Sequence, residues 1–279
     1  IKVASLKGIE FAKNLEALYV TCDAVPFDLT LLSGLSKLKE FALLCPEISD
    51  ITPLAGLTEL TYLTLGSSNV TDISVLSNFT KLTYLNIGGL PVADLTPLRP
   101  LTQLEELDLN NTEFTSFEGL ETLTKLKILT VYIDSPRTTN PIPEDGVSLA
   151  PLGTLTNLEQ LFLAGGEYVY DITPLANLTN LQILNLFTQR VEDVTPLANL
   201  TNLSILNLFW NLVTDVAPLA ANPGLGDGDD KIDLVYNCID ITEGSEDAVN
   251  IQIIEDRNPE KNNVNDFQED FYYEANCDL

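Results

Sequence analysis

No histidine and no methionine occur among the 279 residues. The first absence removes Ser-His-Asp triads, Cys-His dyads and imidazole metal sites. The second accompanies a first residue, Ile1, that is not a start residue; the expectation is a processed or trimmed chain from which any signal peptide is already gone. Basic residues are scarce: 14 Lys and Arg stand against 41 Asp and Glu, a formal net charge of −27. A field of that sign repels phosphate and anionic lipid, so nucleic acid and acidic membrane surfaces are poor partners. No apolar run approaches the roughly 18 residues needed to span a bilayer, so no membrane insertion is expected. There is no C-x-x-C spacing, no Gly-rich phosphate loop and no nucleophile elbow, and the expectation is no enzymatic activity and no cofactor.

Against these absences, 45% of the residues are hydrophobic, as in a folded chain rather than a disordered acidic one. They recur. Leu60-Thr61-Tyr62-Leu63-Thr64-Leu65 returns as Leu82-Thr83-Tyr84-Leu85-Asn86-Ile87 and as Leu104-Glu105-Glu106-Leu107-Asp108-Leu109. The frame L-x-x-L-x-L begins at Leu15, Leu38, Leu60, Leu82, Leu104, Leu126, Leu158, Leu181 and Leu203, and a degenerate tenth unit runs from Leu225 through Ile232 and Leu234. The steps are 22 or 23 residues except for one of 32, between Leu126 and Leu158. A second motif, T-P-L, follows at Thr52, Thr96, Thr173 and Thr195, preceded in several units by stretches such as Val70-Thr71-Asp72-Ile73 and Val191-Glu192-Asp193-Val194.

Elementary geometry turns this period into a fold. The last two Leu of the frame are two residues apart, the spacing of one face of a strand. In T-P-L the Thr is placed to cap a short helical turn, and Pro fits its first position, where the N–H has no helical partner. The Leu after Pro and the Leu three further on share an inward face. No unit buries its own Leu set; stacking does.

The pattern resembles the leucine-rich repeat family, in the 22-residue form of bacterial internalin-like surface proteins, over about residues 1–258. The resemblance implies an α/β repeat fold, a leucine-rich repeat solenoid with a concave parallel β-sheet and convex 3₁₀ or short-helix turns. The expected organisation is a partial repeat over 1–14, nine units over 15–224 with an insertion near 134–146, a degenerate repeat and cap over 225–258, and an acidic tail over 259–279. Internalin-like proteins carry a helical cap upstream that is not found here. The resemblance further implies a non-enzymatic module for protein–protein recognition, in a bacterial secreted or cell-surface protein, and suggests adhesion or host contact. A carbohydrate-binding module and a passive spacer are the alternatives.

Four cysteines fit two disulfides and an oxidising location: extracellular, on the cell surface or in the periplasm. Cys22 and Cys45 occupy the same frame position in neighbouring units, and strands about 4.8 Å apart put such Cα atoms within disulfide range. Cys238 and Cys277 remain as a second pair, joined if the tail folds back. Residues 226–279 hold 16 acidic residues against 3 basic ones, so much of the charge lies there. Asp227, Asp229 and Asp230 are weak candidates for calcium, because no complete D-x-D-x-D-G loop surrounds them.

A partner would meet the variable, outward positions of the strand ladder. In the early units these are small or polar, apart from Tyr62 and Tyr84, which are in register. Later the ladder turns apolar: Ile128, Tyr132, Phe162, Ile183, Phe187, Ile205, Phe209 and Trp210. Clustered aromatics on an outward face are candidate anchors for a protein partner; if they only cover one another, the face is structural. The insertion, with Tyr168 and Tyr170, is expected to border this patch. Glu105, Glu106 and Asp108 imitate a glycosidase carboxylate pair but occupy ordinary variable positions. The N-L-T and N-L-S sequons arise from the repeat itself.

Overall fold

The computed structural model describes residues 6–22, 28–66, 68–132, 146–226, 230–257 and 263–264. They divide into two compact units, Ile1–Val131 with Arg137–Pro141 and Tyr132–Pro136 with Ile142–Leu279.

The first unit is built on the strands β1 (Ala17–Thr21), β2 (Glu40–Leu44), β3 (Tyr62–Gly66), β4 (Tyr84–Asn86), β5 (Glu106–Asp108) and β6 (Ile128–Tyr132). Each pairs in parallel with the next, and the frame residues stack in register: Leu18, Phe41, Leu63, Leu85, Leu107, Leu129. From Phe41 to Leu129 this column is at most 1% exposed. At about 2 kcal/mol per buried Leu, such columns are the main source of stability. The opposite wall is made of 3₁₀ turns, including Thr52–Gly56, Ser74–Asn78 and Thr96–Leu98. Leu54 and Leu98, after Pro, and Leu57 and Leu101, three further on, are all fully buried. This is the expected leucine-rich repeat solenoid.

The capping differs from the expectation. Pro does fall in the first turn, but Thr supplies no side-chain cap. The cap is the Asp two residues earlier: Asp50 accepts from the Thr52 N–H at 2.8 Å and Asp94 from that of Thr96 at 2.8 Å. Asp171, Asp193 and Asp215 do the same in the second unit. A carboxylate reaches back two residues to an orphan N–H, and its charge suits the turn's positive end.

Cys22 and Cys45 are bonded, with Cα atoms 5.0 Å apart, tying the first two coils together. Cys238 is disulfide-bonded as well; Cys277 lies outside the described residues.

The second unit carries β7 (Gln160–Ala164), β8 (Ile183–Asn185), β9 (Ile205–Asn207), β10 (Lys231–Asp233) and β11 (Asn263–Val264). Pairing is parallel from β7 to β11. Thus two residues within the span expected as a tail form a strand against β10. Inside the coils runs a ladder of buried amides. Gln189 accepts from the Tyr168 and Val169 N–H groups and donates to the Leu163 and Gly165 carbonyls. Asn211 accepts from the Val191 N–H and donates to Leu186 and Leu208, and Asn237 repeats the pattern with Val213, Leu208 and Leu234. The turns leave backbone groups inside, and these side chains satisfy them.

The far end is closed by α1 (Ala217–Ala221) and α2 (Glu246–Glu255). Ser245 caps α2, and Ile251 and Ile254 are buried. Arg257, just past α2, donates to the carbonyls of Asn222, Leu225 and Ala220, and buried Asp247 accepts from the Val216 N–H. Among the described residues no helix is long and apolar enough to cross a membrane.

Candidate functional site

In the second unit the turns that follow β8, β9 and β10 gather four rings, just past the strand ends rather than on the strands themselves. Phe187 and Phe209, one coil apart, stack with centroids 5.3 Å apart and planes inclined by 22°. Tyr236 meets Phe209 edge-on at 4.9 Å, and Trp210 lies 5.6 Å from Tyr236 and 6.4 Å from Phe209. The phenylalanines and Tyr236 are half-buried by this packing, whereas Trp210 is 52% exposed. Ile183 and Ile205, register partners at the starts of β8 and β9, are also half-buried, and Phe162 sits across from Asn185.

Backbone conformation presents these rings. In the first unit the turns after β4 and β5 pass through a left-handed residue, Gly89 and Asn111. In the second the same position holds Gly165 after β7 and then Thr188, Trp210 and Tyr236, the last three with φ of 56°, 56° and 59°. A left-handed conformation costs a residue with a Cβ about 1–2 kcal/mol, and bulky residues rarely occupy it. Two large aromatics held there are backbone strain next to an exposed ring cluster. Tyr236 is not singled out by the sequence reading; its signal is its place two residues after Leu234, matching Trp210 after Leu208.

Other candidates fall elsewhere. Tyr168 is a correction: it is fully buried in the core, not on a rim, and burial pushes its phenol pKa up. Tyr170 lies beneath the Arg190 guanidinium, 5.3 Å from its ring centre, in an open pocket of about 440 Å³ lined also by Asp171, Glu192, Asp193 and Leu212. Tyr132 is 40% exposed at the end of β6. The insertion lies outside the described residues except for Gly146, as do Asp227 and Asp229 of the calcium candidates; Asp230 is half-buried.

In the first unit Tyr62 and Tyr84 stack with centroids 4.4 Å apart and planes 5° from parallel. Beyond them Asn86 donates to Asp108 at 3.0 Å.

These coils have close counterparts among solved structures. The internalin InlF of Listeria monocytogenes is 31% identical, with a TM-score of 0.74 over 91% of this chain and 76% of that one. Internalin C2 of the same bacterium is 32% identical over 62% of this chain and 71% of that one, with a TM-score of 0.55. The chain belongs to the internalin family. A leucine-rich repeat protein of Leptospira interrogans, 21% identical with a TM-score of 0.68 over 89% of this chain and 60% of that one, shares the fold. Comparisons with family models and with curated proteins return no match. The repeat scaffold of this internalin-family chain is thus shared with those Listeria proteins.

Proposed function

We propose that this internalin-family chain is a non-enzymatic recognition module of a bacterial secreted or cell-surface protein, and that it binds a protein partner through the sheet face. The observation that carries this reading is the ring cluster Phe187, Phe209, Trp210 and Tyr236, contiguous and apolar, with Trp210 half-exposed on a strained backbone position. A Trp anchored among Phe and Tyr is the composition of an interface hot spot. Carbohydrate binding favours separated, exposed rings flanked by polar groups, whereas these rings pack on one another. The disulfides and the family support a location outside the cell.

The test is capture of proteins from extracellular fractions by the wild-type chain and by the triple variant Phe187→Ala, Phe209→Ala, Trp210→Ala, with a glycan array in parallel. Loss of a specific protein band in the triple variant supports the proposal. Unchanged capture, or binding to glycans alone, rejects it.

A further inference from the structure

The first unit has a second site of different chemistry. The stacked rings of Tyr62 and Tyr84 follow the direction in which one strand succeeds the next, so the face of Tyr84 turned away from Tyr62 looks toward β5. There its register partner is Glu106, exposed, and two residues on is Asp108, half-buried. The Asp108 carboxylate accepts from the Asn86 amide at 3.0 Å and the Asn110 N–H at 2.9 Å, both neutral donors. Burial raises its pKa, only partly offset by the Asn110 N–H. Gly88 leaves it reachable: a Cβ there would stand 3.3 Å from both Asn86 Oδ1 and Asp108 Oδ1.

Among the described residues of the unit no Lys or Arg pairs with Glu106 or Asp108. None of the strands β1 to β6 contains Lys or Arg. Lys39, Lys81 and Lys127 flank the strands and pair with Glu16, Glu59 and Glu105 of neighbouring coils. The face therefore presents an aromatic plane beside two carboxylates without a cationic partner among the described residues. That is the complement of a guanidinium, which is planar, weakly hydrated, stacks on aromatic rings and meets carboxylates with paired N–H groups.

We propose that the Tyr84 ring face, with the Glu106 and Asp108 carboxylates of the next strand, receives an arginine side chain presented by a protein partner. Each carboxylate oxygen of Asp108 keeps a lone pair beyond the hydrogen bond it already accepts, as a paired contact requires. No residue of the ring cluster takes part in this site, and its failure leaves that reading intact.

The probe is the capped tripeptide acetyl-Gly-Arg-Gly-amide, titrated into the full chain and followed by NMR at the Asp108 carboxyl carbon and the Tyr84 ring. The control is the same peptide with citrulline, which keeps the shape and loses the charge. A charge-assisted contact of this kind corresponds to roughly a tenfold or greater difference in affinity. The expected result is saturable shifts with the arginine peptide, at least about tenfold weaker binding of citrulline, and a comparable loss in Asp108→Asn. Glu106→Gln, at an exposed position, is the second variant should Asp108→Asn fail to fold, and a severalfold loss is expected. Equal binding of the citrulline peptide, no saturable shift, or full affinity in a folded variant overturns the proposal. So does a methyl glycoside that moves these signals when arginine does not.

Discussion

Trp210 and Tyr236 both sit at positive φ, 56° and 59°, and their rings approach to 5.6 Å. Thr188, one coil before Trp210, has the same backbone and belongs to none of the ring contacts. Its strain is therefore separable from binding. Thr188→Gly should stabilise the protein by about 0.5–1 kcal/mol, because relief of the left-handed conformation outweighs the glycine's entropy. Trp210→Gly should leave stability nearly unchanged, since strain relief is offset by lost ring packing, yet should abolish partner capture. Urea melts of both variants beside the capture assay check the contrast. A Trp210→Gly variant that retains capture would remove Trp210 from the site.

Asn211 carries a different kind of weight. It is 1% exposed and serves four backbone groups from two coils. Asn211→Leu keeps the branched shape but strands the Val191 N–H and the Leu186 carbonyl, each at roughly 1–3 kcal/mol, while the Leu208 carbonyl keeps Asn237. A net loss of about 3 kcal/mol is expected in urea denaturation, with hydrogen exchange accelerating first at Val191.

The Cys22–Cys45 bond closes a loop with a sequence separation of 23 residues. Loop entropy alone makes it worth about 3 kcal/mol. In a stacked array that loss is local, because each coil is held mainly by its neighbours. Cys22→Ser with Cys45→Ser should open the first coil to protease, with β1 exchanging its amides first and the later coils of the same unit protected. Uniform loss of protection would contradict nearest-neighbour stability.

Much of the fold is legible in the chain because the physics repeats. A Leu frame met nine times, with a T-P-L turn beside it in four units, leaves a stacked coil as the one way to bury every Leu. The capping residue is harder to read: Asp50 and Thr52 are both capping types, two residues apart, and only coordinates show the carboxylate accepting the N–H. Tyr168 reads as a rim residue because tyrosine so often is one, but the longer unit folds it inward. The site is legible in part. Phe187 and Phe209 follow from the period, whereas Tyr236 hides in a degenerate unit. Asp108 looks like any ladder residue until its burial is known.

The carboxylates make opposite contributions to the pH dependence of stability. Hydrogen bonds, first from the side chains and then from the N–H groups of Thr52, Thr96, Thr195 and Thr242, hold Asp50, Asp94, Asp193 and Asp240 below the ordinary value of 3.8. A carboxylate depressed in the folded state stabilises it above the unfolded pKa and ceases to do so as pH falls through the folded one. The protein should therefore lose stability as pH drops below about 4, and Asp94→Asn should lower Tm at pH 7 but converge on wild type near pH 2. Asp108 has the reverse sign. Burial raises its pKa above 3.8, only partly offset by the Asn110 N–H, so its ionisation costs the folded state stability as pH rises. Asp108→Asn should then raise Tm at pH 7, by on the order of 1 °C for a chain of this size, and the gain should vanish below pH 3. Thermal melts from pH 2 to 7 measure both slopes. A gain at neutral pH together with weaker arginine binding would mean that Asp108 is kept for recognition at the expense of stability. A loss of Tm at pH 7 would make it a structural residue instead.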